Sequence, residues 1–162
     1  MSELHIRVIP TDPEWQPTVE AAARTVDYVA GLFAGPGDHV EKVEAIFYKR
    51  PALIDGGEYM EDLFCPQCDA TLGLDWFWEL LSSRSDGQII DDPTVHDLSV
   101  TVPCCGTGLT LPELRFEAPI GFARFEVNAT NWTRSVWELS EEELTAAGTF
   151  LGHPVTQIHA HY

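Results

Sequence analysis

All four cysteines of the chain fall into two clusters, Cys65-Pro66-Gln67-Cys68 and Cys104-Cys105, with 35 residues between them. Thiolates are soft ligands, and four of them suit a tetrahedral ion such as zinc. A C-x-x-C turn lets one tight loop deliver two thiolates while its backbone N–H groups face the sulfurs. Pro66 fixes φ inside the first turn. The position after the second cysteine of such a turn calls for a residue at ease at positive φ, which Asp69 tolerates and Gly106 supplies in the second cluster. The expected chemistry is therefore a structural Zn²⁺ held by Cys65, Cys68, Cys104 and Cys105. Adjacent side chains point to opposite faces of a regular strand, so Cys104 and Cys105 can share one ion only if a turn begins at Cys104. Pro103 before and Gly106 after favour that bend. Without it three cysteines remain, and His96 becomes the alternative fourth ligand in a Cys₃His site.

The elements that must position these residues can be read from periodicity. Leu4, Ile6 and Val8 alternate with polar neighbours up to Pro10, which predicts a first strand. Val19, Ala22, Ala23, Val26, Ala30 and Phe33 share one helical face, and the run stops at Gly35-Pro36-Gly37. A second strand is expected near residues 41–49, apolar on both faces through Ile46 and Tyr48 and hence central in a sheet. Leu74, Phe77, Trp78 and Leu81 follow helical spacing just after the first cysteine pair, and residues 82–94 read as loop. Short alternating segments, Leu98 to Val102 and Leu109 to Leu111, flank the second pair. Leu114–Phe116 and Phe122–Val127 predict two strands turning at Ala118–Gly121, with Ala123, Phe125 and Val127 on one face. Ser140 and Glu143 form a capping box ahead of a helix carrying Leu144, Ala147 and Leu151, and residues 155–162 are a last strand.

With the cysteine-bearing segment set aside, the order is strand, helix, strand, strand, strand, helix, strand. The expected class is α+β in a single domain over 1–162, an antiparallel or mixed sheet with two main helices. The order resembles the split-βαβ arrangement of ferredoxin-like folds. The Cys65–Cys68 turn and the hairpin bearing Pro103-Cys104-Cys105-Gly106 resemble zinc-ribbon sites, over a subregion of at most residues 63–112. Together with Gly121-Phe122-Ala123-Arg124-Phe125 they also resemble a group of small acidic bacterial proteins. The ribbon resemblance implies a structural zinc and no reaction.

Other residues carry weaker chemistry. His159 and His161 would share one face of the last strand, and His5 could join them in a second metal site if the first and last strands pair. Asp55, Glu58, Glu61 and Asp62 form an acidic loop whose spacing matches no EF-hand. Trp15 and Trp76 are candidate partner anchors if exposed. No nucleophile elbow, phosphate loop or H-E-x-x-H sequence is present.

The chain carries 26 acidic against 9 basic side chains, a formal charge of -17, with 44% hydrophobic residues. That composition folds around a core rather than staying disordered. The charge argues against nucleic-acid or anionic-membrane partners and favours a basic protein. Neither a secretory leader nor an apolar run of ~20 residues is visible. The expected compartment is cytoplasmic, where thiols stay reduced. The expected role is a non-catalytic interaction module, of which an immunity- or antitoxin-like inhibitor is one form. A metal-dependent hydrolase or a thiol oxidoreductase is the alternative.

Overall fold

The structure is a computed structural model describing residues 2–162. The chain runs β1 (Leu4–Pro10), α1 (Val19–Gly31), β2 (His39–Ile54), β3 (Leu63–Phe64), β4 (Thr71–Leu72), α2 (Leu74–Ser83), β5 (Ser99–Thr101), β6 (Gly108–Thr110), a 3₁₀ turn (Leu111–Glu113), β7 (Arg115–Phe116), β8 (Gly121–Thr133), α3 (Glu141–Leu151) and β9 (Val155–His161). The class is α+β. The long strands form one antiparallel sheet in the order β2-β8-β1-β9, so β8 returns between β1 and β2 and splits the β1-α1-β2 unit.

Both helices over this sheet start as their sequences dictate. The Thr18 hydroxyl accepts from Ala21 N at the start of α1, and Ser140 and Glu143 exchange backbone bonds at the start of α3. These bonds satisfy donors that the first helical turn leaves without partners. Val29 and Phe33, with Ala22, and Leu151 of α3 pack on Ile6, Val8, Phe125, Val127 and Ala129 of the sheet. The opposite face carries a polar patch that is still buried. Arg7 donates from Nε and one terminal nitrogen to both carboxylate oxygens of Glu126, at 3.0 and 2.7 Å. Its other terminal nitrogen reaches the Asp55 carbonyl and the Tyr162 hydroxyl, and the Tyr48 hydroxyl donates to Glu126 at 2.9 Å. Glu126 is fully buried. Burial opposes the Arg7 charge, and the Glu126 carboxylate more than offsets it, holding the guanidinium above its ordinary pKa.

Two expectations need correction. β2 lies at the edge of the sheet and extends to Ile54, with a register shift between Phe47 and Ala52. Pro51, which has no N–H to give a ladder, fits because this is an edge. The outer side of this end is covered by residues 93–95: Leu53 N donates to Pro93 O, and Val95 N to Pro51 O. Second, β7 and β8 do not pair; β7 joins β3 in a separate three-stranded sheet. Ala123 leaves the face of Phe125 and Val127 and packs with Ile9 and Ile158. The segment bearing the two cysteine clusters has a core of its own. Leu63, Leu72, Phe77, Leu81, Val100, Val102 and Leu111 form an apolar cluster of their own. Leu53 of β2 and Phe122 of β8 complete it, so these two strands run from one core into the other.

The inserted segment enters along β9. Gly57 bridges His161 in parallel, Glu58 N donates to His161 O at 2.7 Å, and His161 N to Gly56 O at 3.1 Å. Gly57 has φ +60°, and a Cβ there would lie 2.2 Å from His161 O, so only glycine fits.

Candidate metal centre

Each cysteine cluster sits at the tip of a short antiparallel hairpin, β3-β4 for Cys65 and Cys68, β5-β6 for Cys104 and Cys105. The backbone of the two tips follows one pattern. In the first, Cys65 N donates to Ala70 O and Asp69 N donates back to Cys65 O, both at 3.0 Å. In the second, Val102 N donates to Thr107 O at 3.1 Å and Gly106 N donates back to Val102 O at 3.0 Å. Asp69 and Gly106, at matching positions, have φ +60° and +71°. Val102 is therefore the counterpart of Cys65, Cys105 of Cys68, and Thr107 of Ala70. Cys65 and Val102 are both fully buried in the same cluster.

This correspondence resolves the adjacent pair. The second turn begins at Val102, one residue before Pro103, and Cys104 and Cys105 both lie within the bend rather than on a strand. The four Sγ atoms lie within 4.8 Å of one another. Cys68 and Cys104 approach to 3.3 Å and Cys65 and Cys105 to 3.8 Å. Zn–S bonds of about 2.3 Å in a tetrahedron require S–S edges of about 3.8 Å. The set could hold one such ion, and it is the only group of its kind among the described residues. Cys65 is buried and the other three are exposed, so the site lies at the surface with one ligand rooted in the core.

Without an ion, four crowded thiols cannot ionise together. The Cys104 thiol is pushed up to about 12, first by desolvation and then by hydrogen bonds with the other three cysteines. Cys105 is drawn down to about 7 by hydrogen bonds from the Thr107 side chain and backbone, with the Thr107 hydroxyl 3.1 Å from its sulfur. A divalent ion would reverse this order by holding all four as thiolates. The first turn is not at a helix N-terminus: β4 intervenes before α2 starts at Leu74.

His96 stands in a different constellation. Its Nε2 is 2.6 Å from Asp86 and its Nδ1 3.0 Å from Arg50, which also donates to Asp86. The three candidate histidines of a second site, His5, His159 and His161, are not brought together. β1 and β9 do pair, with Ile6 opposite His159, Leu4 opposite His161 and His5 opposite Ala160. Opposed residues share a face, so His5 points away from the side of His159 and His161. His5 bonds Asn128 at 2.9 Å, His161 bonds Glu58 at 2.7 Å, and His159 bonds Gln157 at 2.9 Å. Of the acidic loop, Asp55 is spent on structure as well, its Oδ1 accepting from Gly57 N and from the Tyr162 hydroxyl, while Glu61 and Asp62 are exposed and their carboxylates make no hydrogen bond among the described residues. Trp15 is partly buried against His153, and Trp76 packs on the core of the insertion. Sequence reasoning passed over Trp137, which is 49% exposed. Its short polar-flanked loop gave no periodic signal.

Compared with protein-family models, curated proteins and solved structures, the chain matches none of them. No helix is long and apolar enough to cross a membrane.

Proposed function

We propose that the chain is a cytoplasmic, non-catalytic interaction protein, in which one Zn²⁺ bound by Cys65, Cys68, Cys104 and Cys105 locks a ribbon-like insertion onto a ferredoxin-like frame. The observation that carries the reading is the convergence of four thiols from two matching hairpin tips. Four thiolates saturate a tetrahedral ion and leave it no open position for water or substrate, which separates a structural site from a hydrolytic one. The ion's part is mechanical: it clamps the β3-β4 tip to the β5-β6 tip, and the apolar cluster beneath supplies the rest of the cohesion.

The binding half of the reading rests on charge. Of nine basic side chains, five already form ion pairs, namely Arg7, Lys42, Arg50, Arg115 and Arg134. The surplus carboxylates are left to face solvent, and four thiolates with one zinc deepen the negative charge by two. Such a surface favours fast, salt-sensitive capture of a basic protein, as an immunity- or antitoxin-like inhibitor would require.

Elemental analysis of the purified chain tests the metal. One zinc per chain, lost in Cys68→Ser, is the expected result; unchanged stoichiometry in that variant overturns the assignment. Zinc-dependent hydrolysis or thiol-disulfide turnover by the intact protein would overturn the non-catalytic role.

A further inference from the structure

A second site, which no cysteine lines, opens where the insertion meets the frame. A cavity of about 380 Å³ is lined by Tyr59 and Pro119 on one side and by Trp137, Glu138, Gln157 and His159 on the other. That volume lies at the lower end of ligand pockets and suits one side chain rather than a cofactor.

Its walls are built and held. Gln157 accepts from Leu139 N at 2.9 Å and donates to Leu139 O at 2.8 Å, pinning the loop that carries Trp137 and Glu138. Arg134 donates to the carbonyls of Leu32 and Glu138, and its charge is paired with Glu143. Trp137 stacks on His159 with ring centroids 5.7 Å apart and a tilt of 23°, and meets Trp132 at 4.9 Å. Tyr59 stacks on His161, which lies outside the lining, with ring centroids 5.9 Å apart.

The chemistry of the lining has one sign. Glu138 is exposed and its carboxylate makes no ion pair or hydrogen bond among the described residues, and no lysine or arginine lines the cavity. His159 is 8% exposed and its Nδ1 has no hydrogen-bond partner. Burial lowers its pKa, so the ring stays neutral at pH 7, with Nε2 donating to Gln157 and Nδ1 a bare acceptor. Aromatic faces carry negative quadrupole charge, so an aromatic wall beside a free carboxylate attracts an organic cation.

We propose that the cleft between Tyr59 and Trp137 seats a lysine or arginine side chain of a basic partner protein, with its charge against Trp137 and Glu138. The proposal rests on the interaction reading above and gives that interaction an address. The apolar stem of the residue would lie along Tyr59 and Pro119 while its head meets the carboxylate.

The test uses the zinc-loaded, ¹⁵N-labelled full chain titrated with acetyl-Gly-Lys-Gly-amide, its arginine counterpart and its norleucine counterpart. The indole N–H signal of Trp137 is identified by its loss in Trp137→Phe. The expected result is a saturable shift of that signal with lysine and arginine peptides and none with norleucine. Glu138→Gln should weaken the lysine peptide about tenfold, whereas Glu58→Gln, whose carboxylate pairs with His161 outside the cavity, should leave it unchanged. An equal response to norleucine, or unchanged affinity in Glu138→Gln, overturns the proposal. If lysine peptides shift signals across the acidic surface while Trp137 stays still, the cleft assignment fails and the basic-partner reading stands. If a basic protein in place of the peptides also leaves every signal unmoved, the interaction reading itself falls.

Discussion

The two cysteine-bearing turns share one backbone and differ in where they place their ligands. The first puts cysteines at its first and fourth positions, Cys65 and Cys68. The second puts Val102 first, Cys104 third and Cys105 fourth, with the same pair of hydrogen bonds around it. A turn of this kind is thus defined by its hydrogen bonds and its positive-φ residue, not by the C-x-x-C spelling. A ligand can move by one residue, and an apolar side chain can take over the buried first position, without altering the main chain.

The largest effect expected from this comparison is at Cys65. Cys65→Ser removes a ligand and a fully buried core side chain at once. It puts at stake the binding free energy of structural zinc, on the order of 10 kcal/mol. Bound zinc should disappear, and amide exchange should accelerate across β3, β4 and α2 while α1 stays protected. Retention of stoichiometric zinc would remove Cys65 from the ligand set.

Next come the positive-φ positions. Asp69→Val and Gly106→Val should each cost about 1–2 kcal/mol, because a β-branched residue is strained in the left-handed region. Asp69→Gly should be close to neutral, since its Arg115 partner is an exposed ion pair. Denaturant melts read all three. A large cost at only one of the two positions would show that the turns are not equivalent.

A smaller difference lies at the sixth position, where Ala70 in one turn matches Thr107 in the other. The folded metal-free Cys105 lies near 7, below its ordinary value of 9.0, so its thiolate is present above neutrality and is lost as pH falls through 7. Brief alkylation of the reduced, metal-free protein near pH 7 should label Cys105 ahead of Cys104, and Thr107→Ala should slow the labelling of Cys105 and narrow that preference. Mass spectrometry of the labelled peptides is the readout.

The smallest expected effect is the most informative. The double variant Val102→Cys with Cys104→Ser rewrites the second turn as a C-x-x-C. If Val102 is the counterpart of Cys65, zinc affinity should stay within about tenfold of the parent in competition with a chelator, a span of about 1.4 kcal/mol. Loss of zinc in this variant, with the fold intact, would break the correspondence.

How much of this was legible in the sequence depends on how local each cause is. Helix α3 was readable from Ser140, Glu143 and three apolar positions because a cap and a periodic stripe lie within a few residues. The hairpins around the cysteines were readable for the same reason. The edge position of β2 was not, because Ile46 and Tyr48 gave it two apolar faces and the covering residues 93–95 lie far along the chain. Nor was the burial of Arg7 and Glu126, since a charged residue on an alternating strand looks the same whether it faces water or a distant partner. The cavity beside Trp137 was hidden for the strongest reason: its walls come from residues 59, 119, 137, 138, 157 and 159. The four cysteines were visible by composition alone, and the shift of register within the second turn became visible only through the backbone bonds of Val102.

The insertion leaves and rejoins the sheet at Ile54 and Gly121, which face each other in the β2-β8 register. Its ends are therefore as close as the two flanks of an ordinary hairpin turn. Chain-closure entropy grows only with the logarithm of loop length, so replacing a short turn by a folded unit adds little cost at that point. The β2-β8 hairpin thus acts as an insertion port. A different unit grafted there would have to replace the Asp55 carbonyl that accepts from Arg7 and the cover that residues 93–95 give to β2.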